Sequence, residues 1–381
     1  MKIIILIISL ELGGAERRAL HLARYFKQRG HHVELWGFNP GSLSEVCKNE
    51  GIPGKLLPFQ WAGFSKVTLK SFKRLLFALR EARPDILLPH TILPTLACGF
   101  VWRLSGARKC IGYMGGSEFG LVSRWGEFLG IQLVSGMICN AQHLARSIAQ
   151  TYRLDPRKIT LIRNGVTLSP PQFSRSVWRE QLGIKDDTFL AVMVANLSVF
   201  KDQEGLLRAW ELVRTSLTSK DKDVRLLLAG KDFGTGAKLR ELSSKLGIEN
   251  DVLFLGQVQD VSGLLAAVDL CVFSSPSEGC PNGILEAMSS GLAVAAVDND
   301  GIREAVGEHQ YPWLSAVGDG EAFARHIVSL IQDDTLRVAL GKQNRQRIRD
   351  EFLFDKMCRE TENLIFDSLT LGKTNPLAID E

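Results

Sequence analysis

The feature that most constrains this chain is its opening. Lys2–Ser9 reads KIIILIIS, an unbroken aliphatic run that Glu11 soon closes. A strand with one wet face would alternate apolar and polar residues. A continuous run fits a strand buried on both faces, as in a parallel sheet. Eight residues fall far short of the ~18 of a membrane span, and no other apolar run approaches that length. No small-residue cleavage site follows, so the run reads as a first strand rather than a signal peptide. Gly13-Gly14 then opens a helical pattern with Ala19, Leu22, Ala23 and Phe26 on one face. Gly30 ends that helix, and 33–38 reads as the next strand.

The alternation continues along the chain. Further strands are predicted at 86–89, 109–113, 137–140 and 159–162, with helices between them. Asn164-Gly165 marks a turn and Ser169-Pro170-Pro171 a linker. A second series follows, with strands at 189–195, 224–229, 252–255, 270–273 and 293–296. Helices are predicted at about 203–217 and 237–246, and three more at about 320–331, 335–349 and 355–369. This is an α/β chain of two tandem, doubly wound, Rossmann-like domains facing each other across a cleft. The expected boundaries are 1–170 and 171–354, with a last helix at about 355–371 packing back on the first domain and a tail at 372–381. A length of 381 residues allows each domain its own core.

Charge and cysteine usage narrow the function. The net charge of +4 conceals a polarised chain. Residues 1–170 hold 23 basic and 10 acidic residues, a balance of +13, and the remainder holds 23 and 32, a balance of −9. A basic half suggests an anionic partner. The aromatic-plus-basic pattern of an RNA-binding sheet is absent, so no nucleic acid is expected. The seven cysteines are scattered with no C-x-x-C pair, which argues against zinc and fits a reducing compartment. Residues 66–83 form an amphipathic helix, with Leu69, Phe72, Leu76 and Leu79 as its expected core stripe. Lys66, Lys70, Lys73, Arg74 and Arg80 lie opposite, and Phe77 falls about 20° from Lys70 at 100° per residue. An aromatic within a basic face suits an anionic bilayer surface. A solvated face with Phe77 covered by residues 61–64 has the same pattern.

The stretch 274–291, SSPSEGCPNGILEAMSSG, carries the most chemistry. A buried strand ends at Phe273, a loop of small residues follows, and a helix is expected to start with Pro281 in its first position. The free amides of Cys280, Asn282 and Gly283 at that helix N-terminus can bind an anion. Glu278 in the loop and Glu286 on the helix can then hold opposite ends of a ligand whose phosphates lie between them. Spacing alone also allows a surface loop with a solvated glutamate.

With seven residues between Glu278 and Glu286, this stretch resembles the signature of the family-4-type retaining glycosyltransferases of B-type, two-Rossmann architecture. Gly13-Gly14-Ala15-Glu16-Arg17 is similar to that family's first glycine loop, and 162–166, IRNGV, to its end-of-domain turn. Residues 194–202, VANLSVFKD, and 298–307, DNDGIREAVG, resemble two further family segments in the right order. The resemblance spans about residues 2–310. It implies a hexosyltransferase that moves a sugar from a nucleotide-sugar donor to a hydroxyl, with retained configuration and without a metal or cofactor. Glu286 would hold the ribose hydroxyls, Glu278 the transferred sugar and Lys201 the diphosphate. Gly13 and Gly14 would close on the same phosphates, and Asn196, Gly279, Cys280, Asn282, Gly283 and Ile284 would complete the donor site. His90, at the end of a strand, would act close to the acceptor or the donor sugar, though a histidine hydrogen-bonded in a strand–helix loop has the same pattern. Glu118, after Gly115-Gly116, would contact the acceptor, and Lys70, Lys73 and Phe77 the membrane. In the family's front-face mechanism the departing phosphate oxygen takes the acceptor proton, so no side-chain nucleophile is needed.

One departure stands out. Many relatives carry an arginine where this chain has Asn196, and Arg17, Arg163 and Arg303 are candidate replacements. Asp298-Asn299-Asp300 has the form of the metal motif of the other glycosyltransferase architecture, but its position makes it a loop segment here. Gly13-Gly14 lacks the third glycine of a dinucleotide fingerprint. The expected protein is a cytoplasmic enzyme on the inner face of the membrane, acting on a lipid-linked or surface-polysaccharide precursor. A nucleotide-sugar epimerase or hydrolase of the same architecture, or a non-catalytic sugar-nucleotide-binding subunit, is the alternative.

Overall fold

In a computed structural model of the chain, the N-terminal run is strand β1 (Lys2–Ser9), and five of its eight side chains are buried. The structure describes residues 1–11, 13–63, 65–116, 124–167, 170–217 and 223–370. β1 is followed by β2 (His32–Asn39), β3 (Gly54–Leu56), β4 (Ile86–Pro89), β5 (Lys109–Met114), β6 (Gly136–Cys139) and β7 (Ile159–Leu161). All pair in parallel, in the order β3-β2-β1-β4-β5-β6-β7. The crossovers contain α1 (Gly14–Gln28), α2 (Leu43–Asn49), α3 (Lys66–Ala82), α4 (Ile92–Ser105), α5 (Arg124–Gln132) and α6 (Gln142–Thr151).

The second half repeats the plan. After α7 (Arg175–Gln181) come β8 (Phe189–Val194), α8 (Gln203–Ser216), β9 (Val224–Ala229), α9 (Gly236–Lys245) and β10 (Val252–Gly256). Then follow α10 (Val261–Ala267), β11 (Leu270–Phe273), α11 (Asn282–Ser289), β12 (Val294–Val297), α12 (Asp300–Val306) and β13 (Leu314–Ser315). The helices α13 (Gly320–Gln332), α14 (Asp334–Glu351) and α15 (Phe354–Thr370) finish the chain. This parallel sheet has the order β10-β9-β8-β11-β12-β13, and β11 and β12 are buried throughout.

Each sheet has one place where the strand order reverses, between β1 and β4 in the first and between β8 and β11 in the second. The C-terminal ends of such strand pairs are where doubly wound sheets bind ligands, because the connections leave in opposite directions and open a crevice. The loops after these four strands carry Gly13, His90, Lys201 and Glu278 in turn.

The chain divides into two compact units, Met1–Arg163 with the stretch from Asp355 onward, and Asn164–Phe354. The division falls at Asn164, before the Pro170-Pro171 linker. The reason is local pairing: Val166 bridges Leu353, its N–H donates to the Phe352 carbonyl at 2.8 Å, and a Cβ on Gly165 would collide with the Phe354 backbone. The edge strands β3 and β13 have no counterpart in the sequence reading, because three and two residues are too short for a period to show. Among the described residues no helix is long and apolar enough to cross a membrane. All seven cysteines are buried and free.

Helix α3 differs from expectation in one respect. Its buried side is Thr68, Ser71, Leu75, Ala78 and Leu79, so Leu69 is not a core residue and stands 56% exposed. Ser65 caps the helix, accepting from Thr68 N–H, and Thr68 Oγ1 accepts from Ala62 N–H at 2.9 Å. These capping bonds turn Thr68 inward and rotate Leu69 to the outside.

A buried carboxylate ties α15 to the first unit. Glu362, 5% exposed, accepts from Tyr25 Oη at 3.0 Å and from Arg29 Nε at 3.3 Å. Burial pushes its carboxyl up, but the bonds from Arg29 and Tyr25 and the Arg29 charge outweigh burial, and the net shift is below the ordinary 4.5. A depressed carboxylate contributes stability above its unfolded value and loses it as pH falls through its folded value. Glu362→Ala should therefore cost roughly 1.5–3 kcal/mol at pH 7 in urea unfolding. The difference from wild type should shrink below about pH 4. A pH-independent difference would show that the loss is packing alone.

Candidate functional site

The site begins where β11 stops. Ser274 and Ser275 follow it directly, both with buried side chains. Ser274 Oγ donates to the Lys201 carbonyl at 3.0 Å and Ser275 Oγ to the Phe200 carbonyl at 3.1 Å. Two hydroxyls at the end of one strand thus fix the loop leaving its neighbour β8. Asp202 then takes a left-handed conformation, φ 47°, and caps α8 by accepting from Gly205 N–H at 3.1 Å. With its backbone held on both sides, Lys201 extends to Glu278 and forms an ion pair. Glu278 is 11% exposed and Lys201 26%, so the pair is shielded without being sealed.

Helix α11 lies beside this pair. Pro281 is its cap, with φ −74° and ψ 112°, and not its first helical residue as the sequence suggested. Its carbonyl takes the N–H groups of Ile284 and Leu285 at 3.1 and 3.2 Å. Helix geometry leaves the N–H groups of Asn282 and Gly283 as the ones without an intrahelical acceptor. Ile284 is a correction: its N–H is spent on Pro281 and its side chain is wholly buried, so it packs and does not bind. Cys280, 7% exposed, belongs to the same core. Glu286 is half-buried one turn along α11.

Gly283 is glycine for a reason the sequence did not reveal. A Cβ there would collide with the Val194 carbonyl oxygen at the end of β8, so α11 is pressed against strand backbone. Gly301 repeats the device, because a Cβ on it would strike the Glu278 and Gly279 carbonyls. Asn164 secures the other side of the loop. Buried at 3% exposure, it donates Nδ2 to the Cys280 carbonyl and to Asn282 Oδ1, both at 3.0 Å. Sequence reasoning read Asn164-Gly165 only as a turn and Ser274-Ser275 only as small residues. Neither pair carries a spacing signal that would have revealed its role.

Other residues singled out from the sequence have local partners. Asn196 Oδ1 accepts from Lys231 N–H at 3.2 Å, and its carbonyl accepts from Gln203 Nε2 at 2.9 Å, so it ties two loops together. Arg303 makes a two-pronged pair with both oxygens of Asp298 and lies 4.7 Å from the Tyr311 ring centre. That pair commits Asp298 to Arg303 and neutralises Arg303 as a stand-in for the missing arginine. Asn299 caps α12 and donates Nδ2 to the Ser275 carbonyl at 2.9 Å. Gly256, φ +66°, gives its carbonyl to Gly230 N–H at 2.8 Å. Among the described residues no three His, Cys, Asp or Glu side chains gather as a metal site would require.

In the first unit Gly13 is extended, φ −129°, and caps α1, which Gly14 begins. A Cβ on Gly13 would lie 2.6 Å from Glu16 Oε2. His90 is 1% exposed and stacks on Tyr113 with ring centres 5.0 Å apart. Burial first, and the charge of Arg18 second, push its pKa well below the ordinary value, so its ring is neutral at pH 7. Lys70, Lys73 and Phe77 are all exposed on α3. Glu118 lies outside the described residues.

Two family models match the chain. Residues 12–169 match Glycosyltransferase Family 4, and residues 188–333 match Glycosyl transferases group 1. N-acetyl-alpha-D-glucosaminyl L-malate synthase of Bacillus anthracis is 27% identical over 52% of this chain and 51% of its own length. UDP-Gal:alpha-D-GlcNAc-diphosphoundecaprenol alpha-1,3-galactosyltransferase of Escherichia coli is 24% identical over 93% of this chain and 94% of that protein. Some matches are thus partial: the chain spans about half the length of other curated relatives, 43% and 51% in two of them. The crystal structure of HepE from Anabaena in complex with UDP-glucose shares the fold. It covers 96% of this chain and 100% of that one, with a TM-score of 0.82 and 22% identity.

The backbone contacts around α11 can be tested by themselves. Gly283→Ala forces strand and helix apart and should destabilise the chain by about 1–3 kcal/mol. Asn164→Ala removes the donor shared by the Cys280 carbonyl and Asn282 Oδ1 and should cost a similar ~1–3 kcal/mol. Both should appear as lower urea midpoints with an unchanged slope, and wild-type midpoints would mean the loop is held by something else.

Proposed function

The chain belongs to the family-4-type glycosyltransferases of two-Rossmann architecture, and on that footing we propose that it transfers a sugar from a nucleotide-sugar donor to a hydroxyl acceptor with retained configuration. The observation that carries this reading is the Lys201–Glu278 pair beside the N-terminus of α11. It sets a cation for a leaving diphosphate next to a carboxylate for the sugar hydroxyls.

Chemically, breaking the bond between sugar and phosphate builds negative charge on the phosphate. Lys201 and the Asn282 and Gly283 amides are positioned to stabilise that charge, and a preorganised donor set does so without reorganisation. Glu286 holds the two ribose hydroxyls, since an ionised carboxylate accepts from both. The departing phosphate oxygen takes the acceptor proton as the new glycosidic bond forms on the same face, so no side-chain nucleophile enters. The solved complex of HepE with UDP-glucose supports a nucleoside diphosphate sugar as donor.

The acceptor we propose is a lipid-linked or polysaccharide precursor at an anionic membrane surface. The Escherichia coli relative, whose name specifies a diphosphoundecaprenol-linked sugar, supports this. So does α3, which exposes Val67, Leu69 and Phe77 among Lys66, Lys70, Lys73, Arg74 and Arg80. Apolar side chains within a basic face are suited to the headgroup region.

Two measurements test these parts separately. Glu286→Gln should weaken nucleotide-sugar binding by about 1–3 kcal/mol, because a neutral amide is a poorer acceptor for two hydroxyls. Glu278→Gln should chiefly lower turnover, and EDTA should leave activity unchanged. Wild-type turnover in both variants, or activity lost to EDTA and restored by Mn²⁺, would sink the donor assignment. For the membrane, Phe77→Ser with Lys70→Glu and Lys73→Glu should release the protein from anionic liposomes while donor binding persists. Salt should mimic the charge changes, since exposed charges are screened within about 10 Å at 0.1 M. A wild-type protein that ignores anionic liposomes at low salt would point to a water-soluble acceptor.

A further inference from the structure

Where β4, β5 and β6 end, the first unit gathers buried polar groups that the donor chemistry leaves mostly unused. Arg18, on α1 and 9% exposed, lays its guanidinium 3.9 Å from the centre of the Tyr113 ring, on which His90 also stacks. A Cβ built on Gly115 would lie 2.9 Å from Arg18 Nη1 and 3.2 Å from Asn140 Nδ2, so the two side chains converge on that glycine. Asn140 is 1% exposed and donates Nδ2 to the Gly115 carbonyl at 3.1 Å. Among the described residues, Asn140 Oδ1, His90 Nδ1 and Thr91 Oγ1 are buried without a hydrogen-bond partner. Folded interiors leave few such atoms, and three in one place call for a ligand.

The surroundings specify its chemistry. Helices α4 and α6 both begin here, after Thr91 and Ala141, and neither start is capped by a side chain. The N–H groups of Ile92 and Leu93 at the start of α4 and the arginine fork belong to different elements at these strand ends, a combination that suits the several oxygens of a phosphoryl group. Asn140 Oδ1, an acceptor, suits a hydroxyl carried by the same molecule. Gly116, next to the cluster, is exposed, and a Cβ on it would meet no described atom within 4 Å.

We propose that Arg18, Asn140 and His90 form a binding site for a phosphoryl group attached to a hydroxyl-bearing molecule. On the transferase reading above, that molecule is the acceptor. Arg18 fixes the phosphate, Asn140 and His90 read hydroxyls beside it, and Tyr113 holds both Arg18 and His90 in place by stacking. The same chemistry is offered by a lipid diphosphate headgroup and by a water-soluble phosphate.

Isothermal titration with inorganic phosphate and with farnesyl diphosphate tests this on the intact chain, with melting curves to establish that each variant is folded. Arg18→Gln should weaken both ligands at least tenfold. Asn140→Asp should do likewise through charge repulsion, and Arg18→Lys, which keeps the charge but loses the fork, should fall between. Lys342→Gln, an exposed change on α14 of the second unit, should retain the wild-type affinities. Farnesyl diphosphate binding much more tightly than phosphate assigns the site to a lipid headgroup, and equal affinities assign it to a soluble phosphate, both supporting the site. Unchanged affinity in folded Arg18→Gln and Asn140→Asp, or loss in Lys342→Gln alone, overturns it. No nucleotide sugar enters these titrations, so a failed donor assignment in Glu286→Gln and a failed phosphate site here are separate results.

Discussion

Backbone meeting backbone without side chains between is the constraint on which the second unit's site depends. Gly283 lets α11 touch the end of β8, Gly301 lets α12 touch the Glu278 loop, and Gly230 lets the β9 loop touch Ala195. Each contact joins a loop of the switch point to a neighbour that a methyl group would push away. Such contacts leave no rotamers to adjust, so the loop positions are set by main-chain geometry. The side chains that do chemistry need not contribute to folding the loops that carry them. Lys201 and Glu278 illustrate this, since Ser274, Ser275 and Asp202 hold their backbones and leave their charged ends to each other.

Most of the fold was legible in the sequence because parallel strands buried on both faces are unbroken apolar runs. β1, β4, β9 and β11 match their predicted limits, and the other predicted strands differ by one residue at one or both ends. The failures have physical causes. β3 and β13 are too short to show a period, and Leu69 lies on a helix whose rotation is set by the hydroxyls of Ser65 and Thr68. In the site, the residues that resemble a family signature were legible, and those that hold them were not. Asn164 lies 116 positions from Cys280, and nothing local to either announces their bond. Gly283 looked like an anion-binding glycine, and its second reason, that its missing Cβ makes room for Val194, was not visible.

The two switch points are used differently. In the second unit the strand ends present an ion pair near the surface, with both charges partly open to water. In the first, the corresponding ends are lined by an uncharged histidine, a carboxamide and an arginine resting on an aromatic ring, nearly all enclosed. The same topology therefore yields one polar, adaptable site and one preformed, tightly packed site. Charge distribution follows the division, with the net positive charge in the half that holds the enclosed cluster and the acidic residues concentrated in the other.

The tie between Glu362 and the Tyr25–Arg29 corner also has a consequence for synthesis. Because α15 belongs to the first unit while the whole second unit lies between, the first unit reaches the ribosome's exit in two instalments. At ordinary rates of translation the roughly 190 intervening residues take on the order of 10–40 s to appear. Throughout that interval the surface destined for α15, including His31, lacks the Phe366 and Glu362 side chains that meet it in the finished fold. The second unit can complete its sheet in that time, whereas the first is finished only by its last helix. A nascent chain of this kind presents an apolar seat early and its occupant late, which makes that seat the natural point for a chaperone to engage.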